Sequence, residues 1–198
     1  IDSQGTVHTI WTQSGEVGDF ALYYARSTDG GLTWSERTAL DDHAVYSGRA
    51  HLFVDATDHL HAVWEVTGPA PGETQRTVRE AAYARSVDGG VTWTRSAFFT
   101  SPAYLERRVH IAPLQPVVGV DGNSQVLVVW RSSTDQGMYY QQSGDGLQWS
   151  SPTRLPGIQA GIDRPYDIYD MATDAAGHVH LVLVAFPAVP WPQQPTLT

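Results

Sequence analysis

The octapeptide STDGGLTW at residues 27–34 returns as SVDGGVTW at residues 86–93, in a chain of 198 residues with little other local similarity. A turn that recurs with its Asp and both glycines in place marks one supersecondary unit used more than once, and so a fold assembled by stacking copies of that unit. Each copy explains itself locally. Gly30-Gly31 and Gly89-Gly90 can take the positive φ of a tight turn, Asp29 and Asp88 can accept backbone N–H bonds across it, and Trp34 and Trp93 can fold back as its cover. A calcium loop needs several carboxylates, whereas each copy supplies a single Asp, so the turn reads as a self-satisfied hairpin and no metal site is expected. A third copy, SGDGLQW at residues 143–149, is one residue shorter and has lost a Gly.

A second repeat lies behind the first. It runs IDSQGTVHTIW from residue 1, VDATDHLHAVW from 54, VDGNSQVLVVW from 120 and ATDAAGHVHLVLV from 172. Counted from Asp2, Asp55, Asp121 and Asp174, an apolar residue recurs five places on (Val7, Leu60, Val126, Val179) and eight places on (Ile10, Val63, Val129, Val182). Trp follows at nine in the first three copies (Trp11, Trp64, Trp130) and Leu183 in the fourth. A short β-prone run behind an Asp/Gly/Asn-rich turn is a strand entered from a hairpin. A further strand follows each of the first three copies (FALYYARS, EAAYARS, MYYQQS), and then comes the octapeptide.

Composition narrows the function. The formal net charge is −9 with no basic run, which argues against nucleic acid as a partner. There is no Cys and no Lys, so disulfides, thiolate nucleophiles, lysine Schiff bases and P-loop phosphate binding are excluded, and no cofactor is expected. No stretch approaches the ~20 apolar residues of a membrane-spanning helix. Ile1 in place of Met suggests a piece of a longer chain, and PAVPWPQQPTLT has the composition of a stiff Pro-rich linker.

Residues 27–34 and 86–93 resemble the Asp-box, or BNR repeat, of sialidases and other Asp-box β-propellers. The resemblance implies an all-β fold, a propeller segment of four-stranded antiparallel blades over residues 1–186 (about three and a half blades), with 187–198 as linker or tail. An incomplete propeller exposes blade edges, so completion by missing blades or self-association is expected. Antiparallel alternation puts the Asp-rich turns and Asp-boxes at one end of each blade, and the starts of the inner strands at the other. There the sequence reads Arg49-Ala50-His51, Arg108-Val109-His110 and Arg164-Pro165-Tyr166, an Arg two residues before a His or Tyr three times. If these strands are innermost, as in the family, Arg49, Arg108 and Arg164 face a common funnel, where guanidinium groups suit a planar oxyanion.

Sialidases hold the substrate carboxylate with three Arg and use a Tyr nucleophile, activated by a Glu, with an Asp as acid/base. The resemblance therefore points to Arg49, Arg108 and Arg164 for substrate binding and to Tyr166 and Asp167, within DRPYDIYD, for catalysis. Tyr169 and Asp170 are close by in sequence, and Glu65 and Arg131 reach the same face by following Trp64 and Trp130. The family's Arg-Ile-Pro motif is absent, and no Tyr-Glu pair is assigned by motif. The competing account is structural: Arg paired with nearby carboxylates and Tyr packed between blades. Two functions follow from the resemblance: a sialidase-like glycoside hydrolase acting on anionic glycans, or a non-catalytic secreted or cell-surface module binding glycan or protein through the same face. Either implies an extracellular or cell-surface location. His8, His61 and His180, six places after their turn Asp, read as packing and hydrogen-bonding residues, not metal ligands.

Overall fold

The four Asp-rich turns adopt one hydrogen-bonding scheme in the computed structural model, which describes residues 1–14, 20–41, 46–69, 76–100, 113–132, 135, 137–159, 169–184 and 186–187. In each turn one carboxylate oxygen accepts the N–H groups two and four residues on. The distances are 3.0 and 2.8 Å at Asp2, 2.8 and 3.0 Å at Asp55, 2.8 and 2.8 Å at Asp121, and 2.9 and 2.9 Å at Asp174. The turn donors are thus satisfied before any strand pairs, so the sequence repeat becomes a structural repeat.

Strands flank these turns in order. β1 (Val7–Ser14), β2 (Phe20–Ser27) and β3 (Thr38–Asp41) form a three-stranded sheet. β4 (Tyr46–Val54), β5 (Leu60–Pro69), β6 (Arg76–Ser86) and β7 (Thr94–Thr100) form a complete four-stranded meander. β8 (Pro113–Val120), β9 (Val126–Ser132), β10 (Gly137–Ser143) and β11 (Thr153–Gln159) form the next. β12 (Tyr169–Thr173) and β13 (Val179–Leu183) make a two-stranded start of a fourth blade. β14 (Phe186–Pro187) adds to the edge of β11. Every pairing is antiparallel, and the described residues contain no helix. The sheets do not close into a ring, as a segment of a propeller should not.

Hydrophobic burial lies between sheets. Leu22, Tyr24 and Leu40 of the first blade pack with Leu60, Ala62 and Trp64 of the second, and Val63, Tyr83 and Phe98 of the second with Val118, Val128 and Trp130 of the third. Met171 of β12 packs on Val117 and Val129. Trp64 and Trp130, two of the three recurrent Trp of the sequence, are fully buried, and Trp11 is partly exposed.

The octapeptides also work between blades. Within each loop, Asp88 accepts the Thr92 hydroxyl (2.5 Å) and N–H (2.9 Å), as Asp29 accepts those of Thr33 (2.5 and 2.9 Å). Those donors hold both carboxyls well below the usual carboxylate range. The glycine pair leaves room for a neighbour's side chain: the Tyr24 ring of the first blade sits on Gly90 of the second and meets Trp93 edge-on at 5.0 Å. One blade on, Tyr83 sits on Gly146 and meets Trp149 at 5.1 Å.

Each of these tyrosines is tethered from behind. His8 Nδ1 lies 2.8 Å from the Tyr24 hydroxyl and His61 Nδ1 2.8 Å from that of Tyr83, while each Nε2 lies 3.1 Å from the turn carboxylate, Asp2 or Asp55. Since a carboxylate only accepts, Nε2 carries the proton and Nδ1 accepts from the phenol. Burial pulls His61 below the ordinary histidine value, which keeps this neutral tautomer. His8 and His61 are therefore hydrogen-bonding residues that fix the inter-blade tyrosines, while His180 bonds its turn carboxylate, Asp174, at 2.9 Å. Tyr24→Phe removes the donor to His8 and is expected to lower stability by about 1 kcal/mol in urea denaturation; an unchanged midpoint would show the relay to be unimportant.

Candidate functional site

At the end of the blades away from the Asp turns, β4 and β8 each carry a bulge at the same register. Gly48 pairs with Glu65 and His51 with Val63, three residues against two, and likewise Leu114 pairs with Arg131 and Val117 with Val129. The bulged residues, Arg49 (φ 48°) and Gln115 (φ 51°), lie in the left-handed region that non-glycine residues rarely occupy. Such bulges re-aim side chains at sheet ends, and here they line an open depression of about 340 Å³ with Ala50, His51, Pro116, Val117, Tyr169 and Asp170.

Charge is organised in two layers. Below the rim, Glu65, whose side chain is 5% exposed, lies 3.4 Å from Arg49 Nε and accepts the Gln115 N–H at 3.3 Å. Burial pushes the Glu65 carboxyl up, while Arg49, the Gln115 N–H and Arg131 pull it back towards ionisation. The Arg49 side chain is 37% exposed, so the pair presents a supported guanidinium to solvent. Tyr169 closes the floor: its hydroxyl is within hydrogen-bonding reach of the carbonyls of Leu114 (2.9 Å) and Gln115. Burial pushes this phenol up, out of the range in which it ionises near neutrality.

The second layer is His51 and Asp170. His51 Nε2 lies 3.1 Å from Asp170 Oδ1, and His51 Nδ1 accepts the Val118 N–H at 3.3 Å. One imidazole thereby links β4, β8 and β12, the inner strands of three successive blades. Burial lowers the His51 value against the opposing pull of Asp170.

Of the residues expected from sequence, Arg49 stands at the rim, with Glu65, Arg131, Tyr169 and Asp170 grouped around the same bulges. Arg108, Arg164, Tyr166 and Asp167 lie outside the described residues. In the register that is described, β8 places Gln115 where β4 places Arg49. Counting explains the difference. Arg49 and Gln115 each stand six residues before the turn Asp, Asp55 and Asp121, whereas Arg108 stands thirteen before and Arg164 ten before its own. The sequence signal for Gln115 is its distance of six residues from Asp121, which the local Arg-x-His pattern does not carry. Its side-chain oxygen is buried and has no hydrogen-bond partner among the described residues.

Successive antiparallel meanders that each carry an Asp-box turn between their last two strands, with a depression between the inner strands, define an Asp-box β-propeller. The profile of the BNR repeat-like domain matches residues 2–166, and the chain belongs to that family. Comparison with curated proteins returns no match. Among solved structures, a protein of unknown function from Dyadobacter fermentans superposes with a TM-score of 0.64 at 14% identity, covering 92% of this chain and 55% of that one. A point mutant of the NanB sialidase from Streptococcus pneumoniae gives 0.55 at 15% identity, with 84% and 24% covered. A PL25 ulvan lyase bound to -[GlcA(1-4)Rha3S]- gives 0.54 at 13% identity, with 93% and 50% covered. These likenesses establish the fold, and the chain spans about half or less of each of those chains. Among the described residues, no helix is long and apolar enough to cross a membrane.

Proposed function

We propose that this propeller acts on anionic glycans as a sialidase-like glycoside hydrolase, with Arg49 receiving the acid group of a sialoside-type ligand. The observation that carries the reading is the exposed Arg49 guanidinium, backed by buried Glu65, at the rim of an open depression between inner strands. A guanidinium held on one side by a carboxylate keeps N–H donors for a second, external oxyanion. The solved relatives named above include a sialidase and a lyase bound to a uronate-bearing, sulfated glycan, which supports an acid-bearing sugar as the ligand class.

In this reading Arg108 and Arg164 complete the clamp, Tyr166 supplies the nucleophile and Asp167 the acid/base that protonates the leaving oxygen. The protein then works where such glycans are displayed, outside the cell or on its surface. A second reading, a glycan-binding module without turnover, is favoured by one observation. Tyr169, the phenol in the depression, is committed to backbone carbonyls and raised by burial, so it is no activated nucleophile.

The test is release of the fluorophore from a 4-methylumbelliferyl sialoside by the full chain, beside an Arg49→Ala variant checked for folding. Turnover that falls about a hundredfold in the variant is expected. A folded wild-type protein that binds the sialoside without releasing the fluorophore would move the assignment to the binding module, and one that does neither would sink both.

A further inference from the structure

His51, Val117 and Asp170 occupy one register position on three successive inner strands, pairing with Val63, Val129 and Val182, each eight residues after its turn Asp. At two of the three positions the side chain is polar, and these two reach across the Val of the blade between them. Asp170 Oδ1 takes the His51 Nε2–H at 3.1 Å and the Met171 N–H at 2.8 Å, so this oxygen is committed. Oδ2 has no donor among the described residues, and the Asp170 side chain is 72% exposed. Gln115 Oε1, in the same depression, is a second acceptor without a partner among the described residues.

We propose that Asp170, held by His51, reads the hydroxyl-bearing part of the ligand whose acid group Arg49 receives, so that the site selects a monoanionic sugar acid over a multiply charged one. This rests on the anionic-glycan reading and goes further by naming what lies away from the acid group. The depression offers one supported cation and one exposed acceptor, the second oxygen of Asp170, while Gln115 Oε1 is buried beneath its surface. An ionised carboxylate accepts hydrogen bonds and cannot donate them, so Asp170 favours sugar hydroxyls or an amide N–H and repels a second carboxylate or sulfate. His51 is a positioning residue: its Nδ1 is filled by the Val118 N–H, which leaves Nε2–H directed at Asp170 and fixes the carboxylate's orientation.

The experiment is a calorimetric titration of the wild-type protein and of Asp170→Asn, His51→Phe and Arg49→Ala with two probes: the α-methyl glycoside of N-acetylneuraminic acid, and a disulfated uronate disaccharide. Thermal denaturation checks that each variant is folded. Asp170→Asn keeps an acceptor for His51 and Met171 but replaces the free oxygen with a donor. It is expected to weaken the sialoside about tenfold and to narrow or reverse the preference over the disulfated probe. His51→Phe is expected to shift the same preference in the same direction by less, which a purely structural role would not do. Unchanged selectivity in a folded Asp170→Asn, with binding still lost in Arg49→Ala, would overturn this proposal and leave the anionic-glycan reading standing. Absence of binding by either probe to the wild-type protein would overturn both.

Discussion

Gly90→Ala is expected to cost about 4 kcal/mol of stability, whereas Gly31→Ala, the same position of the first octapeptide, costs about 1 kcal/mol. Both glycines have positive φ, +86° and +94°, so both substitutions strain the backbone alike. They differ in what the new methyl group meets. At Gly90 an added Cβ would overlap the Tyr24 hydroxyl and the ring carbons beside it; at Gly31 the nearest atom is in Trp34, 3.8 Å away. Accommodating a methyl group at position 90 therefore requires Tyr24 to leave its slot, breaking its bond to His8 and its edge-on contact with Trp93. Urea midpoints of the two variants, read against the wild type, give the comparison directly. Equal losses would mean that the inter-blade tyrosine is not held by the turn, and that the octapeptide serves its own hairpin alone.

The second large effect concerns Arg49 as a structural partner. Arg49→Ala removes the nearest cation from Glu65, a carboxylate buried at 5% side-chain exposure. Breaking a fully buried ion pair costs about 3–5 kcal/mol. Solvent screening at the half-exposed Arg49, and the remaining Gln115 N–H and Arg131, reduce the expected loss to about 2 kcal/mol at neutral pH. The loss is pH-dependent with a defined sign. Burial already raises the folded-state value of Glu65, and losing Arg49 raises it further. A raised carboxyl binds its proton more tightly in the folded state, so stability falls as pH rises through the window above the unfolded value of about 4.3. Below that window both states are protonated and the Arg49→Ala penalty fades. A Glu65→Gln change added to Arg49→Ala is expected to recover most of the loss at neutral pH. A pH-independent penalty, or no recovery in the double variant, would show that Arg49 contributes packing and not charge.

These two results bracket what the site can do. The Glu65 partner that supports Arg49 also competes with an external oxyanion for its N–H groups, so ligand affinity depends on how many donors the pair leaves free. The bulges matter for the same reason. Arg49 and Gln115 reach the depression only because an extra residue on β4 and β8 turns the chain at the rim.

Much of the architecture was legible in the sequence. Ser86, Asp88, Gly90 and Thr92 satisfy one another within seven residues, and Asp55 caps the N–H groups of Thr57 and His59 within five. Interactions of that range need no distant partner, so residue type and spacing reveal them. The Trp at nine places, and hence the side on which Glu65 and Arg131 emerge, follows from strand alternation after a fixed turn. The site was only half visible by the same route. Arg-x-His recurs locally, whereas the bulges of β4 and β8 stand at a fixed distance from the next turn, and that distance puts Gln115 in β8 where β4 has Arg49. The His51–Asp170 bridge spans 119 residues and the Tyr24–Gly90 contact spans two blades. Sequence by itself determined the turns, the strands and their repetition, since these are settled by donors and acceptors a few residues apart. Which side chains share one depression was decided only by the tertiary structure, because packing between blades and a left-handed residue in β4 and in β8 fix the register across which they meet.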